Sequence, residues 1–211
     1  LQYEERMKKM SDHYYSPSPN ARHEFEEWSF ELKGKTFHFL TDSGVFSRKT
    51  VDYGSRVLIE AFDWTQLPEG PILDVGCGYG AIGLAIASSS KRHLEMVDVN
   101  ERAIDLAKKN AEKNQVSTVD IHLSNVYEAV HQNTYAAIVS NPPVRAGKNV
   151  VHQILTEAYD FLKIEGTLTV VLQKKQGAAS AKKKMNETFG NAEIIKKDKG
   201  YYIIQSRKEK E

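Results

Sequence analysis

From residue 72 onward, the chain alternates between short apolar runs and segments whose apolar residues recur at helical spacing. Short apolar runs are typical of strands buried on both faces, and a recurrence every three to four residues is typical of amphipathic helices. The runs that predict strands are ILDV (72–75), LEMVDV (94–99), VDIHL (119–123), YAAIVS (135–140) and LTVVL (168–172). The segments that predict helices are 80–88, 101–114, 148–162 and 177–189.

Strands that alternate with helices predict an α/β fold with a mostly parallel sheet covered by helices on both faces. Two further apolar runs, AEIIK (192–196) and YYIIQS (201–206), close the chain around Asp198-Lys199-Gly200. A tight turn there predicts an antiparallel hairpin. The sheet would then have seven strands, the last pair antiparallel.

The first part of the chain has a different pattern. Residues 1 to about 24 are polar and predict an irregular arm, and residues 28–42 alternate apolar and polar around Lys33-Gly34-Lys35, which predicts a β-hairpin. Apolar positions between 50 and 62 predict a helix. We therefore expect an N-terminal arm and β-hairpin extension over residues 1–49 and one main domain over residues 50–211.

Composition excludes some classes of protein. No run of about 18 apolar residues is present, so no membrane span is predicted, and the polar start does not predict a secretory signal. A single cysteine excludes a disulfide framework, and the seven histidines show no ligand spacing, so no metal is predicted. These features favour a cytoplasmic protein. The sequence does not indicate an oligomeric state.

The net charge of +1 is unevenly distributed. Residues 171–211 contain eleven Lys and Arg against five Asp and Glu, so this segment carries +6 and the remainder −5. A basic segment attracts polyanions, but it is equally typical of a solvated helix face and tail.

A glycine-rich loop follows the first predicted strand of the main domain and opens a helix. Its glycines are Gly76, Gly78 and Gly80. Glycine is required where backbone turns sharply and lies against a ligand without a Cβ in between. The spacing Gly76-x-Gly78-x-x-Ala81, with Asp98 about 20 residues further on, also fits the fingerprint of nicotinamide-dependent enzymes.

Asp74, two residues before the first glycine, separates these alternatives. A carboxylate at this place would repel a pyrophosphate but can accept hydrogen bonds from a charged amino group. S-adenosylmethionine has no phosphate and carries an amino group and a sulfonium. The loop therefore favours S-adenosylmethionine over a dinucleotide.

Other residues near the loop have candidate roles in cofactor binding. Asp98, within Val97-Asp98-Val99-Asn100, would accept both ribose hydroxyls, although it is also a candidate helix cap; Asn100, directly before the next helix, fits a cap better. Ser124-Asn125 would lie near the adenine, although both are ordinary loop residues.

Cys77, between two glycines, is interpreted as a small residue of a ligand loop. A catalytic thiol would need a positioned base, and none is suggested nearby.

Ser140-Asn141-Pro142-Pro143 follows the fourth predicted strand of the main domain. Together with the glycine loop, this motif resembles the Rossmann-like class I methyltransferases that modify planar amino nitrogens, namely adenine-N6, guanine-N2 and glutamine-N5 enzymes. The resemblance implies that Asn141 and the carbonyl of Pro142 accept the two N–H groups of the target amine, while both prolines stiffen the backbone.

A third segment narrows the resemblance to one group of these methyltransferases. Gly44-Val45-Phe46-Ser47, Val51-Asp52 and Gly54-Ser55 resemble the catalytic half of the small-subunit ribosomal RNA guanine-N2 methyltransferases, and the likeness extends from about Phe37 to Ile204. It implies methylation of RNA, with ribosomal RNA or the small ribosomal subunit as partner.

One position departs from that family. Many relatives have an aromatic residue after Asn-Pro-Pro that stacks on the base, and this chain has Val144. Phe46 is then the first candidate for stacking, and Arg145 with Lys148 either contacts phosphate or lines the solvent edge of a loop. Two alternatives stay open: a protein glutamine-N5 methyltransferase, and a ribosomal RNA binder without activity.

Overall fold

The computed structural model describes residues 22–47, 49–131 and 134–210, so most of the predicted N-terminal arm lies outside the described residues. The strands are β1 (Glu26–Leu32), β2 (Lys35–Thr41), β3 (Ile72–Val75), β4 (Leu94–Asp98), β5 (Val119–Leu123), β6 (Tyr135–Ser140), β7 (Leu162–Gln173), β8 (Glu193–Asp198) and β9 (Tyr201–Arg207). The helices are α1 (Tyr53–Ala61), α2 (Ala81–Ser90), α3 (Glu101–Lys113), α4 (Lys148–Phe161) and α5 (Ala178–Phe189).

The main sheet has seven strands in the order β5-β4-β3-β6-β7-β9-β8, which confirms the predicted α/β fold. The strands from β5 to β7 are parallel, and β9 pairs antiparallel with both β7 and β8. The chain winds outward from β3 to β5 and then returns to β6 on the other side of β3. Such a reversal opens a crevice at the carboxyl ends of the strands, where open α/β sheets bind ligands.

Helices cover both faces of the sheet. Residues of α1, α2 and α3 pack with the first hairpin in one cluster, and residues of α4 and α5 pack in a second. Neighbouring residues of a strand point to opposite faces, so Ile72 contributes to the first cluster and Leu73 to the second. α2 has a nearly continuous apolar sequence because its residues 81–87 are all buried.

The first hairpin forms a separate two-stranded sheet, as predicted, with β1 and β2 joined at Lys33-Gly34. Phe37 and Phe39 are fully buried against the main domain. Asn110 of α3 and Asn114, which caps the C-terminal end of this helix, bind the backbone of β2: Asn110 pairs with the N–H and the carbonyl of Leu40, and Asn114 does the same with His38. Their side chains thereby form hydrogen bonds with backbone N–H and carbonyl groups at the edge of β2, where a neighbouring strand would otherwise pair. The domain boundary at residue 49 stays a prediction.

Some element boundaries differ from the sequence prediction. β7 begins at Leu162 and not at 168, because Leu162 pairs with Tyr135 and an irregular segment follows before Thr167 resumes the ladder. α1 begins at Tyr53, since the side chain of Asp52 caps it by accepting the N–H of Ser55. Among the described residues, no helix is long and apolar enough to cross a bilayer.

The expectation that the histidines are scattered is wrong for two of them. His122 lies in β5 and His131 lies nine positions later, yet their rings stack with centroids 4.0 Å apart beside the buried carboxylate of Glu95. The sequence spacing did not reveal this, because Glu95 comes from the neighbouring strand.

Candidate cofactor and substrate pocket

A cavity of about 510 Å³ lies at the carboxyl ends of β3, β4 and β6. The structure gathers nearly all predicted site residues around it. Those that line it are Phe46, Gly76, Cys77, Gly78, Asp98, Val99, Asn100, Ser124, Asn125, Asn141, Pro142, Pro143, Val144 and Arg145. Asp74 and Gly80 do not line it.

The glycine loop has room for a ligand but few free donors. Gly76 and Gly78 have φ values of 74° and 56°, and a Cβ on either would meet no atom within 4 Å, so both open onto free space. The N–H groups of Gly76 and Cys77 donate to the carbonyl of Val97, and that of Gly78 donates to Asp98. A phosphate-binding loop points such N–H groups at its ligand, so this loop does not favour a pyrophosphate.

The carboxyl groups of Asp74 and Asp98 give the loop a negative field. Asp74 is fully buried and its carboxylate faces the backbone N–H of Gly83, whereas Asp98 is partly exposed at the cavity wall. Burial, together with the negative charge of Asp98, raises the pKa of Asp74 to about 7, and burial also raises the pKa of Asp98. A cation in the cavity would ease the ionisation of both groups, whereas an added phosphate would oppose it. In this conformation Asp74 acts on a ligand through its charge and not by contact.

Asp98 and Asn100 have different local roles. The carboxylate of Asp98 accepts the N–H of Gly78 and that of Asn100, each at 2.9 Å, which fixes the side chain at the cavity wall. Asn100 caps α3 by accepting from Arg102 and Ala103, as predicted. Its side-chain N–H₂ also donates to the carbonyl of Gly44 and thereby ties the 44–47 segment to this wall.

The predicted adenine region is formed by Ser124, Asn125 and Val126. The hydroxyl of Ser124 is used inside the loop, where it donates to the carbonyl of Val126 and accepts from Ala129. Asn125 is exposed and donates to Glu128. An adenine would therefore meet backbone groups and the apolar side chains of Val99 and Val126 along this wall.

Cys77 is not arranged as a nucleophile. Burial raises the pKa of its thiol well above the usual range, and the nearby charges of Asp98 and Asp74 add to this. The thiol donates to the carbonyl of Gly78. A thiol that stays protonated at neutral pH is a weak nucleophile, which agrees with its interpretation as a small residue of the loop.

Asn141 is held in a defined orientation at the end of β6. Its side-chain nitrogen donates to Asp52 Oδ2 and to Ser55 Oγ, both at 3.0 Å. Both N–H bonds of the amide are thereby used within the protein. The amide oxygen remains as the acceptor that the side chain presents to the cavity.

The two prolines after Asn141 shape the adjoining backbone. Pro143 has φ −75° and ψ 80°, and the N–H of Val144 donates to the carbonyl of Pro142 at 2.9 Å, as in an inverse γ-turn. That bond takes one of the two lone pairs of the Pro142 carbonyl and leaves the other for a ligand.

The mouth of the cavity combines aromatic and polar side chains. Phe46 is 53% exposed and lines the cavity, as does Arg145. Opposite elements contribute Gln173, Gln176 and Tyr201, which the sequence prediction missed. Tyr201 accepts a hydrogen bond from Gln173 at 2.8 Å.

Asp52 and Ser55 hold the amide nitrogen of Asn141, and the sequence did not reveal these contacts. Both residues belong to the segments Val51-Asp52 and Gly54-Ser55 that carry the family resemblance, and Asp-x-x-Ser before an apolar segment is also typical of a helix start. Nothing in that spacing indicates a contact with a motif 86 residues away.

The chain is similar to known proteins over most of its length. YbxB of Bacillus subtilis is 50% identical over 201 residues, which is 94% of this chain and 100% of that protein. Ribosomal RNA small subunit methyltransferase C of Aliivibrio fischeri is 32% identical over 161 residues, 74% of this chain and 46% of that protein. The chain thus spans about half the length of that relative.

Among solved structures, the T. thermophilus 16S rRNA N2 G1207 methyltransferase (RsmC), in complex with AdoMet and guanosine, has the same fold. The TM-score is 0.79 at 24% identity, over 87% of this chain and 50% of that chain. A family model described as "methyltransferase small domain" matches residues 36–205, most of the chain. The chain belongs to the methyltransferase small domain family.

Proposed function

We propose that this protein transfers a methyl group from S-adenosylmethionine to an exocyclic amino nitrogen of a base in RNA, with guanine N2 of small-subunit ribosomal RNA as the preferred target. The observation that carries the proposal is the orientation of Asn141, which lines a cavity bordered by the glycine loop and whose amide nitrogen is held by Asp52 and Ser55, so that the amide oxygen is left as the acceptor. An acceptor fixed in this way suits a substrate that presents N–H groups.

The residues of the cavity fit S-adenosylmethionine, the cofactor of this family. The open space beside Gly76 and Gly78 leaves room for the ligand, and Asp98, which lines the cavity, would accept the ribose hydroxyls. The negative charge of Asp74 and Asp98 complements the two positive groups of the cofactor. When bound, S-adenosylmethionine supplies an electrophilic methyl group.

The protein's own contribution is to position the amine. Asn141 Oδ1 and the free lone pair of the Pro142 carbonyl would each accept one N–H of the target, which directs the nitrogen lone pair into the cavity. Correct placement of two reactants is worth roughly 7–11 kcal/mol. No general base is required, since the proton can leave after the methyl group has been transferred.

RNA is the proposed acceptor because of the cavity mouth. Phe46, exposed at the rim, would stack on the extruded base, and Arg145 would contact a neighbouring phosphate. Val144 is too small to stack, so Phe46 takes the role that an aromatic residue after the motif has in many relatives. Ribosomal RNA or the small subunit as partner, and hence a cytoplasmic location, follow by analogy with methyltransferase C.

The test is transfer of tritiated methyl from S-adenosylmethionine to unmodified ribosomal RNA, to small subunits and, in parallel, to release factors, followed by nucleoside analysis of the RNA and amino-acid analysis of the protein. We expect label in N2-methylguanosine. Label in a glutamine of a release factor and none in RNA would replace the proposal with a protein substrate. Binding of cofactor and RNA without any transfer would replace it with a silent RNA binder.

Asn141→Ala provides the matching site variant. We expect kcat to fall at least about 100-fold, because the amine loses an acceptor that fixes its position. Cofactor affinity, measured by calorimetry, should stay within a few fold. A variant that methylates at the normal rate would contradict the role of Asn141.

A further inference from the structure

Glu95, His122 and His131 meet on the sheet face opposite α1–α3. Glu95 and Asp120 are directly paired across β4 and β5, and His122 lies two residues further along β5, so their side chains point to the same face. His131 reaches them from the segment that follows β5. Glu95 is 1% exposed, whereas the side chains of His122 and His131 are 19% and 55% exposed.

The three ligand atoms are close together. His122 Nε2 lies 2.7 Å and His131 Nδ1 lies 3.9 Å from Glu95 Oε1, and all three atoms lie within 4.8 Å of one another. A tetrahedral zinc ion with bonds of 2.0–2.2 Å separates its ligand atoms by about 3.3 Å. The observed distances lie on both sides of this value, so small side-chain rotations would suffice to bind an ion.

The surrounding hydrogen bonds hold two of the three groups. His122 Nδ1 lies 3.1 Å from the carbonyl of Leu123, which favours the tautomer with the proton on Nδ1 and the lone pair on Nε2. Nε2 lies within hydrogen-bond distance of Glu95 Oε1, at 2.7 Å, so a shared proton joins the two groups without a metal, and a bound ion would take the place of that proton. Glu95 Oε2 accepts from the buried hydroxyl of Tyr135. Such outer partners are typical of metal-ligating histidines and carboxylates.

From this geometry we propose that Glu95, His122 and His131 form a binding site for a zinc-class divalent ion, separate from the methyl-transfer pocket. Two imidazoles with one carboxylate suit zinc and its neighbours, whereas magnesium and calcium prefer oxygen ligands alone. Asp120, 2.7 Å from His131 Nδ1, or a water would complete the coordination.

A metal here would stabilise the wall of the cofactor cavity. The segment from Ser124 to His131 begins at the predicted adenine region and ends at the proposed ion. Its end is already attached to Glu95 through the backbone N–H of His131, at 2.7 Å. An ion that joins His131 to β4 and β5 would restrain this segment at its far end from the cavity.

The test is calorimetric titration of the chelator-treated, desalted full chain with zinc chloride. We expect one zinc ion per chain, and at least about tenfold weaker binding in both His122→Gln and His131→Gln. The matched control is His93→Gln, an exposed histidine directly before β4, which should bind zinc like the unmodified protein. No saturable zinc binding, or binding that both site variants retain in full, would overturn the proposal.

Thermal unfolding gives a second readout that separates metal binding from folding. His131 is half exposed, so the metal-free His131→Gln variant should unfold at the same temperature as the metal-free protein. Zinc should raise the unfolding temperature of the unmodified protein and of His93→Gln but not of His131→Gln. An equal rise with magnesium chloride at the same concentration would contradict the assignment to the zinc class.

Discussion

Asn141 depends on two side chains from the start of α1 for its orientation. If the side-chain amide of Asn141 were rotated so that its nitrogen and oxygen exchanged places, it would present N–H groups to the N–H groups of the target amine and repel them. Asp52 and Ser55 prevent this exchange because both accept from the amide nitrogen. They are therefore positioning residues, which act on the substrate through Asn141.

Ser55→Ala tests this role without loss of the helix cap, which Asp52 provides. We expect kcat to fall about tenfold, the equivalent of one hydrogen bond of about 1.4 kcal/mol, with little change in the unfolding temperature. In the Asn141→Ala background the same substitution should have no further effect on kcat. Additive losses in the double variant would show that Ser55 acts independently of Asn141.

Asp74 predicts a pH dependence of stability in the cofactor-free protein. Its pKa is raised from an ordinary value near 3.8 to about 7, so between these values the unfolded chain releases a proton that the folded chain keeps. Stability therefore falls as pH rises through this window and stays reduced above it. The loss is up to about 4 kcal/mol.

Asp74→Asn removes this titration. Its free energy of unfolding, measured by urea denaturation, should match that of the unmodified protein near pH 4 and exceed it by a growing margin up to pH 8. Asp98, whose pKa is also raised by burial, titrates in both proteins, and only its coupling to Asp74 enters the difference, where it adds to the same trend. A constant difference across the pH range would show that Asp74 is not buried as a titrating group.

At the scale of elements, the first hairpin depends on α3 for its backbone partners. Asn110 is fully buried and makes hydrogen bonds with both backbone groups of Leu40 and with the carbonyl of Tyr79. Asn110→Ala would leave these three groups unpaired, at a cost of about 1–3 kcal/mol for each buried group that water does not reach. We expect a loss of roughly 3 kcal/mol in urea denaturation.

Asn114→Ala is the matched comparison one helical turn later. The native Asn114 side chain makes the same pair of hydrogen bonds with the backbone of His38. This part of the hairpin is closer to solvent, so water can replace the partners that the alanine variant loses. The loss should be nearer 1 kcal/mol. Equal losses at the two positions would contradict the importance of burial at Asn110.

The elements that the sequence predicted well are those with a strong local signal. The apolar runs of β3 to β6 and the periodicity of α3 arise from burial that each segment shows by itself. The start of β7 was missed because its first five residues, LKIEG, mix apolar and polar side chains, and of these five only Leu162 pairs with β6. The asparagine contacts were missed because one polar residue on a helix does not indicate which distant strand it binds.

The candidate site likewise contains residues that local motifs predicted and residues that only the fold brings together. Its glycine loop, Asp98 and the Asn-Pro-Pro segment come from motifs in which residue type and spacing are fixed by local backbone needs. Gln173, Gln176 and Tyr201 were missed, since only the antiparallel end of the sheet brings them to the cavity. The burial of Asp74 behind the loop was equally hidden, because spacing indicates proximity to a ligand and not the direction of a side chain.

At the scale of the whole molecule, basic residues flank the cavity mouth. Arg145 and Lys148 follow the Asn-Pro-Pro segment, and the exposed Lys174 and Lys175 lie between Gln173 and Gln176, which line the cavity. These residues come from separate parts of the chain, so the sequence showed only the second pair as part of a basic segment. Because Arg145, Gln173 and Gln176 line the same cavity, the lysines next to them in the chain would contact the phosphates of the proposed RNA substrate.

The rim predicts a salt-dependent affinity for RNA that does not depend on the cofactor. Each cation that contacts a phosphate contributes about 0.7 to the slope of log affinity against log salt concentration for a single strand. Replacement of Lys174 and Lys175 by alanine should therefore weaken binding of a ribosomal RNA fragment and lower that slope by about 1.4 in total. Fluorescence anisotropy at several salt concentrations measures both the affinity and the slope, and cofactor affinity should not change.

The control is Lys108→Ala, which replaces an exposed lysine two turns into α3 and should bind RNA normally. An unchanged slope in the double variant would place the RNA on another face of the protein.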